Sequence, residues 1–271
     1  MTVIEEIPYS PAGPGAVGGW VSRNAPVLGM FAAIFAAWEL AVRALGIPDF
    51  ILPSPSAIIM KIILSWQLLL WNGFVTLQEI LLGFGLSVAV AIPLAIAVVY
   101  SGLFERVAFP FMVSLQTIPK VALAPILVMW LGYGILPKVM VAFLISFFPI
   151  VINSVIGMRS AEKEMIYLVQ SMGAGELTTF MKIRLPKALP SIFGGLKVGM
   201  GQAVVGATVG EFIAAESGLG YLQLISQVRL DTPLLFAAVV VLSILGVLLF
   251  NAVGLIERLA LPWSRLVSES E

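Results

Sequence analysis

Long apolar stretches recur along the chain, separated by short polar or turn-rich segments. A spanning helix needs roughly 20 mostly apolar residues. Six stretches meet that length, at about 27–46, 74–100, 107–131, 139–158, 192–213 and 234–256. Leu52-Pro53-Ser54-Pro55-Ser56 is turn chemistry and predicts a short helix near the surface. Pro93 lies inside the second stretch, and Pro119 and Pro125 lie inside the third. Proline removes a backbone donor, so these two spans are expected to kink, with neighbouring helices satisfying the freed carbonyls.

The segment 159–191 breaks this rhythm. It carries the densest charge in the chain: Arg159, Glu162, Lys163, Glu164, Glu176, Lys182, Arg184 and Lys187. Its pattern predicts helix, turn, helix. Ser160 is placed to cap the first helix, with Glu162 and Glu164 in the first turn, where the dipole favours acid. Gly173 and Gly175 supply the turn. Leu177, Phe180, Met181 and Arg184 fall at three-and-four spacing and predict one apolar face, and Pro186 is expected to stop the helix. Two readings stand open: a solvated loop on the membrane surface, or a docking element whose apolar face a cytoplasmic partner covers.

Composition agrees with a bilayer as solvent. The chain is 60% apolar and 11% charged, where a soluble domain carries about 25% charged residues. Its formal net charge is zero, so nothing points to nucleic acid. It has no cysteine and no histidine, which excludes disulfide frameworks, thiolate chemistry, most zinc sites and every His-based triad. No Gly-rich loop followed by Lys and Ser/Thr is present to cradle nucleotide phosphates. Residues 1–25 carry Glu5, Glu6 and repeated Pro and Gly without a basic start, and are read as a flexible cytoplasmic tail rather than a secretory signal. The permease domain is expected over 26–266, with a short cytoplasmic tail at 267–271.

Lys and Arg set the orientation. With a cytoplasmic N-terminus, Arg23, Arg106, Arg159, Lys163, Lys182, Arg184, Lys187, Arg258 and Arg265 lie inside, and only Lys61, Lys138 and Arg229 lie outside. Six spans then leave both termini in the cytoplasm.

Gly173 followed, after nine residues, by Ile183-Arg184-Leu185-Pro186 resembles the signature loop of bacterial ABC importer permeases. Tyr167-Leu168-Val169 stand where that signature reads Glu-Ala-Ala, a departure typical of the nitrate/sulfonate/taurine/bicarbonate branch and its relatives for pyrimidine and flavin precursors. Similar to that branch are also Leu52-Pro53-Ser54-Pro55-Ser56, Thr76-Leu77 with Gly83-Phe84, Ile118-Pro119-Lys120, and Trp130-Leu131-Gly132-Tyr133-Gly134. So are Leu185-Pro186-Lys187-Ala188-Leu189-Pro190, Gly218-Leu219-Gly220-Tyr221, and Glu257-Arg258 with Pro262-Trp263. The resemblance covers roughly residues 30–265. It implies an all-α integral membrane subunit with six transmembrane helices and the type I ABC importer permease fold. It implies that loop 159–191 is a coupling helix, with Met172-Gly173-Ala174-Gly175 as its contact tip. It also implies three partners: ATPase subunits that hold ATP and Mg, a second permease copy or close paralogue, and an extracytoplasmic solute-binding protein. The stretch Ile118-Pro119-Lys120-Val121-Ala122-Leu123-Ala124-Pro125 leans toward the pyrimidine and flavin branch.

Polar groups inside spans mark candidate path residues. Gln116, Thr117 and Lys120 lie in the third span, and Gln202 and Thr208 in the fifth. Lys120 either attracts an anionic solute or pairs with a carbonyl freed by a nearby proline. Gly195, Gly199, Ala203, Gly206 and Gly210 make a small-residue stripe, read either as close packing within the subunit or as a pore- or dimer-facing helix. Glu39 and Arg43 are expected to pair along one helix. Glu211 is expected near the outer end, facing the binding protein or water. A secondary transporter would need intramembrane acids and two related halves. An intramembrane protease would need His or paired carboxylates. A channel would leave the charged loop without a purpose.

Overall fold

The first turn of structure after the N-terminal helix shows how local chemistry sets the architecture. Helix α1 spans Ala16–Ala44 and helix α2 spans Pro55–Leu64. Ser54 caps α2: its Oγ accepts from the Ala57 N–H at 3.3 Å, and Pro55 occupies the first turn, where a missing donor costs nothing. Glu39 then reaches across from α1 and accepts from the Ser56 N–H at 3.0 Å and the Ser56 Oγ at 2.7 Å. The expected Glu39–Arg43 pair is present at 2.6 Å, so the salt bridge also anchors the start of α2.

The computed structural model describes residues 16–262 and is all-helical, with no strand among the described residues. Helix α1 begins at Ala16, inside the segment read as a tail. The rest of that segment, and the expected tail at 267–271, lie outside the described residues. Helix α3 covers Trp66–Tyr100 and passes through Pro93 without a break. A π-helical turn, Phe104–Ala108, leads into α4, Phe109–Leu115; a 3-10 turn, Lys120–Leu123, leads into α5, Ala124–Leu131. Helix α6 spans Ile135–Arg159 and α7 spans Lys163–Ser171. Helix α8, Glu176–Thr179, a π-helical turn, Phe180–Arg184, and α9, Leu185–Ala214, run on as one helix. Helices α10, Leu219–Val228, and α11, Thr232–Ala260, follow.

Among the described residues, four helical stretches are long and apolar enough to cross a membrane: Trp66–Tyr100, Ile135–Arg159, Glu176–Ala214 and Thr232–Ala260. The pair Phe104–Leu115 and Lys120–Leu131, bent by 88°, makes a fifth if it counts as one span. The remaining expected span falls on α1, where Met30, Phe31, Ile34 and Phe35 are exposed, as lipid-facing side chains would be.

The third span is broken rather than kinked. Pro119 lacks an N–H and is extended at ψ 91°, and a residue preceding proline disfavours the helical region. The chain tightens first, with Thr117 N–H bonding Ser114 O and Ile118 N–H bonding Leu115 O. Pro125 lies in the first turn of α5, so it begins a helix instead of bending one.

The core is the contact between α6 and α9, and glycine makes it possible. A Cβ on Gly206 would stand 2.6 Å from the Ala142 Cα, and one on Gly210 would stand 2.9 Å from the Lys138 Cα. Gly195 and Gly199 lie equally tight against Pro149, Asn153 and Ile150. The small-residue stripe therefore packs α9 on α6 inside one subunit. Helix α3 completes the layer through Ser87, whose hydroxyl meets that of Ser146 at 2.6 Å. Helix α11 packs along the outside and turns Ile244, Val247 and Leu248 outward.

Three local expectations are corrected. Ser160 does not cap α7; its Oγ donates back to Gly157 O at 2.7 Å, and Glu162 is the N-cap residue. Pro186 does not stop a helix. It follows the π turn, where the Leu185 N–H already bonds Phe180 O, so the wider register absorbs the missing donor. Lys138, read as an outer cation just before the fourth span, is buried in the first turns of α6.

Candidate functional site

Residues 159–191 form a helix–turn–helix whose tip is exposed and whose base is packed on the subunit. In α7, Ile166 alone is buried, while Tyr167 and Leu168 are exposed and Val169 is half-buried. The turn places Met172 outward at 78% exposure. Gly173 has φ +88°, a left-handed conformation that glycine adopts without penalty, and a Cβ there would meet nothing within 4 Å. Gly173 N–H bonds Gln170 O at 2.9 Å and Ala174 N–H bonds Val169 O at 3.2 Å, closing the end of α7. Gly175 has φ −74°, which any residue adopts. Gln170 Nε2 donates to Glu176 Oε1 at 3.1 Å and braces the turn.

The predicted single apolar face of the second helix is split. Leu177 and Met181 point outward, whereas Phe180 packs edge-on against Tyr100 at 5.8 Å and the Arg184 guanidinium lies 5.2 Å from the same ring. The π turn widens the helix between these residues, so three-and-four spacing no longer keeps them on one side. Ile183, Leu185 and Pro186 are half-buried at the base. There Ile183 and Pro186 line a groove of about 260 Å³ with Met165, Lys182 and Lys187.

The candidate path residues fall on two elements. Gln116 and Thr117 are exposed at the break of the third span. Lys120 Nζ donates to Gln116 O at 3.2 Å and sits 4.7 Å from the centre of the Phe148 ring on α6. The lysine thus satisfies a carbonyl at the break and stays half-buried beside an aromatic face. Gln202 is exposed on α9; Thr208, one and a half turns on, is half-buried and donates to Val204 O at 2.9 Å.

The largest departure from the sequence reading lies at the other end of the bundle. Glu211 faces neither water nor a surface; it is 1% exposed. Its carboxyl accepts from the Thr76 hydroxyl at 2.6 Å and from the Gly220 N–H. Thr76 Oγ1 accepts from the Leu219 N–H at 2.8 Å, and Asn72 Oδ1 accepts from the Gly218 N–H at 2.7 Å. Gly218 offers α10 no capping side chain, so α3 and α9 supply the caps instead. Glu79 on α3 forms a buried ion pair with Lys138. The only sequence signal for this group is a set of ionisable residues at apolar-helix positions.

Among the described residues, the long apolar helices packed through α6 and α9, with one broken pair beside them, define a helical membrane subunit. The family model for "Binding-protein-dependent transport system inner membrane component" matches residues 82–260, and the chain belongs to that family. It is an ABC importer permease, and ATP hydrolysis is carried by a separate ATPase subunit. It is 39% identical over 236 residues to the formylaminopyrimidine transport permease protein of Halalkalibacterium halodurans, covering 87% of this chain and 94% of that one. It is 37% identical over 249 residues to the riboflavin transport system permease protein of Chloroflexus aurantiacus, covering 90% and 91%. The putative aliphatic sulfonates transport permease protein of Escherichia coli is 30% identical over 247 residues, covering 90% and 94%. Among solved structures, an inward-facing MetNI methionine ABC transporter matches in fold at a TM-score of 0.59 and 20% identity, over 72% of this chain and 96% of that one.

Proposed function

We propose that this permease imports a pyrimidine- or flavin-type heterocycle and takes its power stroke from the ATPase through the tip of the hairpin at Met172-Gly173-Ala174-Gly175. The observation that carries the coupling reading is the uncovered apolar tip. Tyr167, Leu168, Met172 and Leu177 stand exposed on a segment otherwise rich in charge, and Gly173 leaves clear space for close approach. Ile183, Leu185 and Pro186 lie in the continuous helical stretch Glu176–Ala214, so motion at the tip is carried into the core along one helix, with Val169 half-buried at the end of α7. ATP and loaded binding protein each favour one of two arrangements, and coupling is their differential affinity for the two.

The relatives named for formylaminopyrimidine and riboflavin support the heterocycle over a sulfonate. The break at Gln116, Thr117 and Lys120, with the Phe148 ring beneath, offers hydrogen-bonding groups beside an aromatic face. A broken helix is a common device for exposing such groups at a membrane midplane. Gln202 and Thr208 extend the path along α9. Two copies of the chain assemble around it, in the inner membrane with both termini cytoplasmic. The excess of Lys and Arg on the side of the 159–191 hairpin supports that orientation. The test is uptake by the reconstituted transporter with its own binding protein. Saturable, ATP-dependent accumulation of labelled aminopyrimidine or riboflavin, uncompeted by taurine, is expected. Accumulation of taurine instead assigns the sulfonate class.

A further inference from the structure

We propose that the turn Val228-Arg229-Leu230, at the outer end of α10, is a docking point for the extracytoplasmic binding protein, with Leu230 as its apolar anchor. The proposal rests on the importer reading and the orientation given above.

The backbone supplies the first observation. Helix α10 closes in a Schellman turn: the Asp231 N–H bonds Ser226 O at 2.9 Å and the Leu230 N–H bonds Gln227 O at 3.1 Å. Leu230 takes the left-handed position just past the cap, at φ +56°, where glycine is the usual residue. Among the described residues it is the one non-glycine with positive φ. A side chain strains that position, because its Cβ crowds the following carbonyl. Nothing inside the subunit repays the strain: Leu230 is 65% exposed, and Val228 beside it is 72% exposed. Strain of this kind persists only where the surroundings fix it, and it gathers at contact sites.

The surroundings do fix it. Asp231 caps α11 through the Leu234 N–H at 3.2 Å and pairs with Lys61 at 2.7 Å. The neighbouring Thr232 hydroxyl donates to Phe50 O at 2.7 Å, which ties the turn to the segment before α2. The other end of α10 is held by Asn72, Thr76 and Glu211. The turn is therefore a preset surface.

Charge and shape select the partner. Lys61 and Lys138 each have an acidic partner, but the exposed Arg229 has none among the described residues. An apolar pocket edged by an acidic group complements such a turn. Lipid accepts an apolar side chain in any orientation and gains nothing from a fixed left-handed leucine, whereas a shaped protein pocket does. A partner seated here also reaches the core, because α10 starts against Glu211 on α9, the helix that runs on into the coupling hairpin.

The experiment measures binding of solute-loaded binding protein to the complete transporter in nanodiscs. Leu230→Gly should keep or raise the melting temperature, since glycine adopts positive φ without penalty, and should weaken binding at least tenfold. Arg229→Gln should weaken binding and reduce its salt dependence. Undiminished binding by folded Leu230→Gly overturns the assignment, whichever solute is carried. Val228→Cys, in a permease without cysteine, gives the second readout. It should react with a membrane-impermeant maleimide in right-side-out vesicles and be shielded by loaded binding protein. Reaction there without shielding overturns the docking point alone. Reaction only in inverted vesicles overturns the orientation as well. No reaction from either side places the turn in lipid and overturns the proposal.

Discussion

Lys138 at the start of α6 and Glu79 on α3 form a buried ion pair, at 5% and 0% exposure. The pair sits where α6, α3 and α9 converge, so it fixes how the three core helices meet. Removing one partner leaves a buried charge or forces a proton change. Lys138→Met is therefore expected to destabilise the subunit by up to about 3–5 kcal/mol, and Glu79→Gln/Lys138→Met to recover much of that loss. Thermal unfolding in detergent, followed for the two single variants and the double, checks this. Equal loss in the double variant would contradict it.

Glycines on α9 divide into two groups by what a methyl would meet. Gly206→Ala places a Cβ 2.6 Å from the Ala142 Cα, on backbone that has nowhere to go. A cost of about 1–3 kcal/mol and reduced yield of folded protein are expected. Gly201, about two and a half turns from Gly210 on the same helix, has nothing within 4 Å of an added Cβ. Gly201→Ala should be neutral or stabilising by about 0.5–1 kcal/mol through helix propensity. Comparing the two melting temperatures is a direct reading of the α6–α9 interface.

Lys120 gives a different signature from the core residues. Lys120→Met keeps the stem but loses the hydrogen bond to Gln116 O, a net loss of about 0.5–1.5 kcal/mol at most. Folding should survive, while solute-stimulated transport falls at least tenfold if the break lies on the path. Normal transport kinetics in a folded variant would move the path away from Gln116, Thr117 and Lys120.

How much of this was legible in the sequence depends on the scale at which a residue acts. The apolar stretches and their order were readable because bilayer thickness dictates segment length, whatever the packing. Glu39–Arg43 was readable because four-residue spacing on a helix is local. The short helix α2 followed from turn chemistry at Pro53 and Pro55, though its Ser54 cap did not. The break at Pro119 was visible only as a kink, because the sequence marks a missing donor but not how far the chain departs after it. The Phe180–Arg184 π turn was not readable at all; it changes the helix period without changing the residue pattern, and so it divided Leu177 and Met181 from Phe180 and Arg184. Glu211 and Lys138 were misplaced for a related reason. Each lies near a helix end, where position along the chain suggests a surface, but the partners that bury them come from α3, far away in sequence.

Met172→Glu separates the tip from the fold. Met172 is largely exposed, and a charge there should leave the subunit folded, within about 0.5 kcal/mol. A loss of solute-stimulated ATP hydrolysis of tenfold or more is expected, because the carboxylate would be desolvated against the partner. Retained stimulation would place the contact elsewhere on the hairpin.

The most direct measurement uses the absence of cysteine from the chain. A single cysteine introduced as Ala174→Cys carries a short crosslinker without background. In native membranes it should crosslink to an ATP-binding cassette subunit, with a yield that changes between the nucleotide-free and ATP-bound states. Recovery of the chain without any ATPase adduct, from a preparation that still transports, would show that the hairpin tip is not where the two subunits meet.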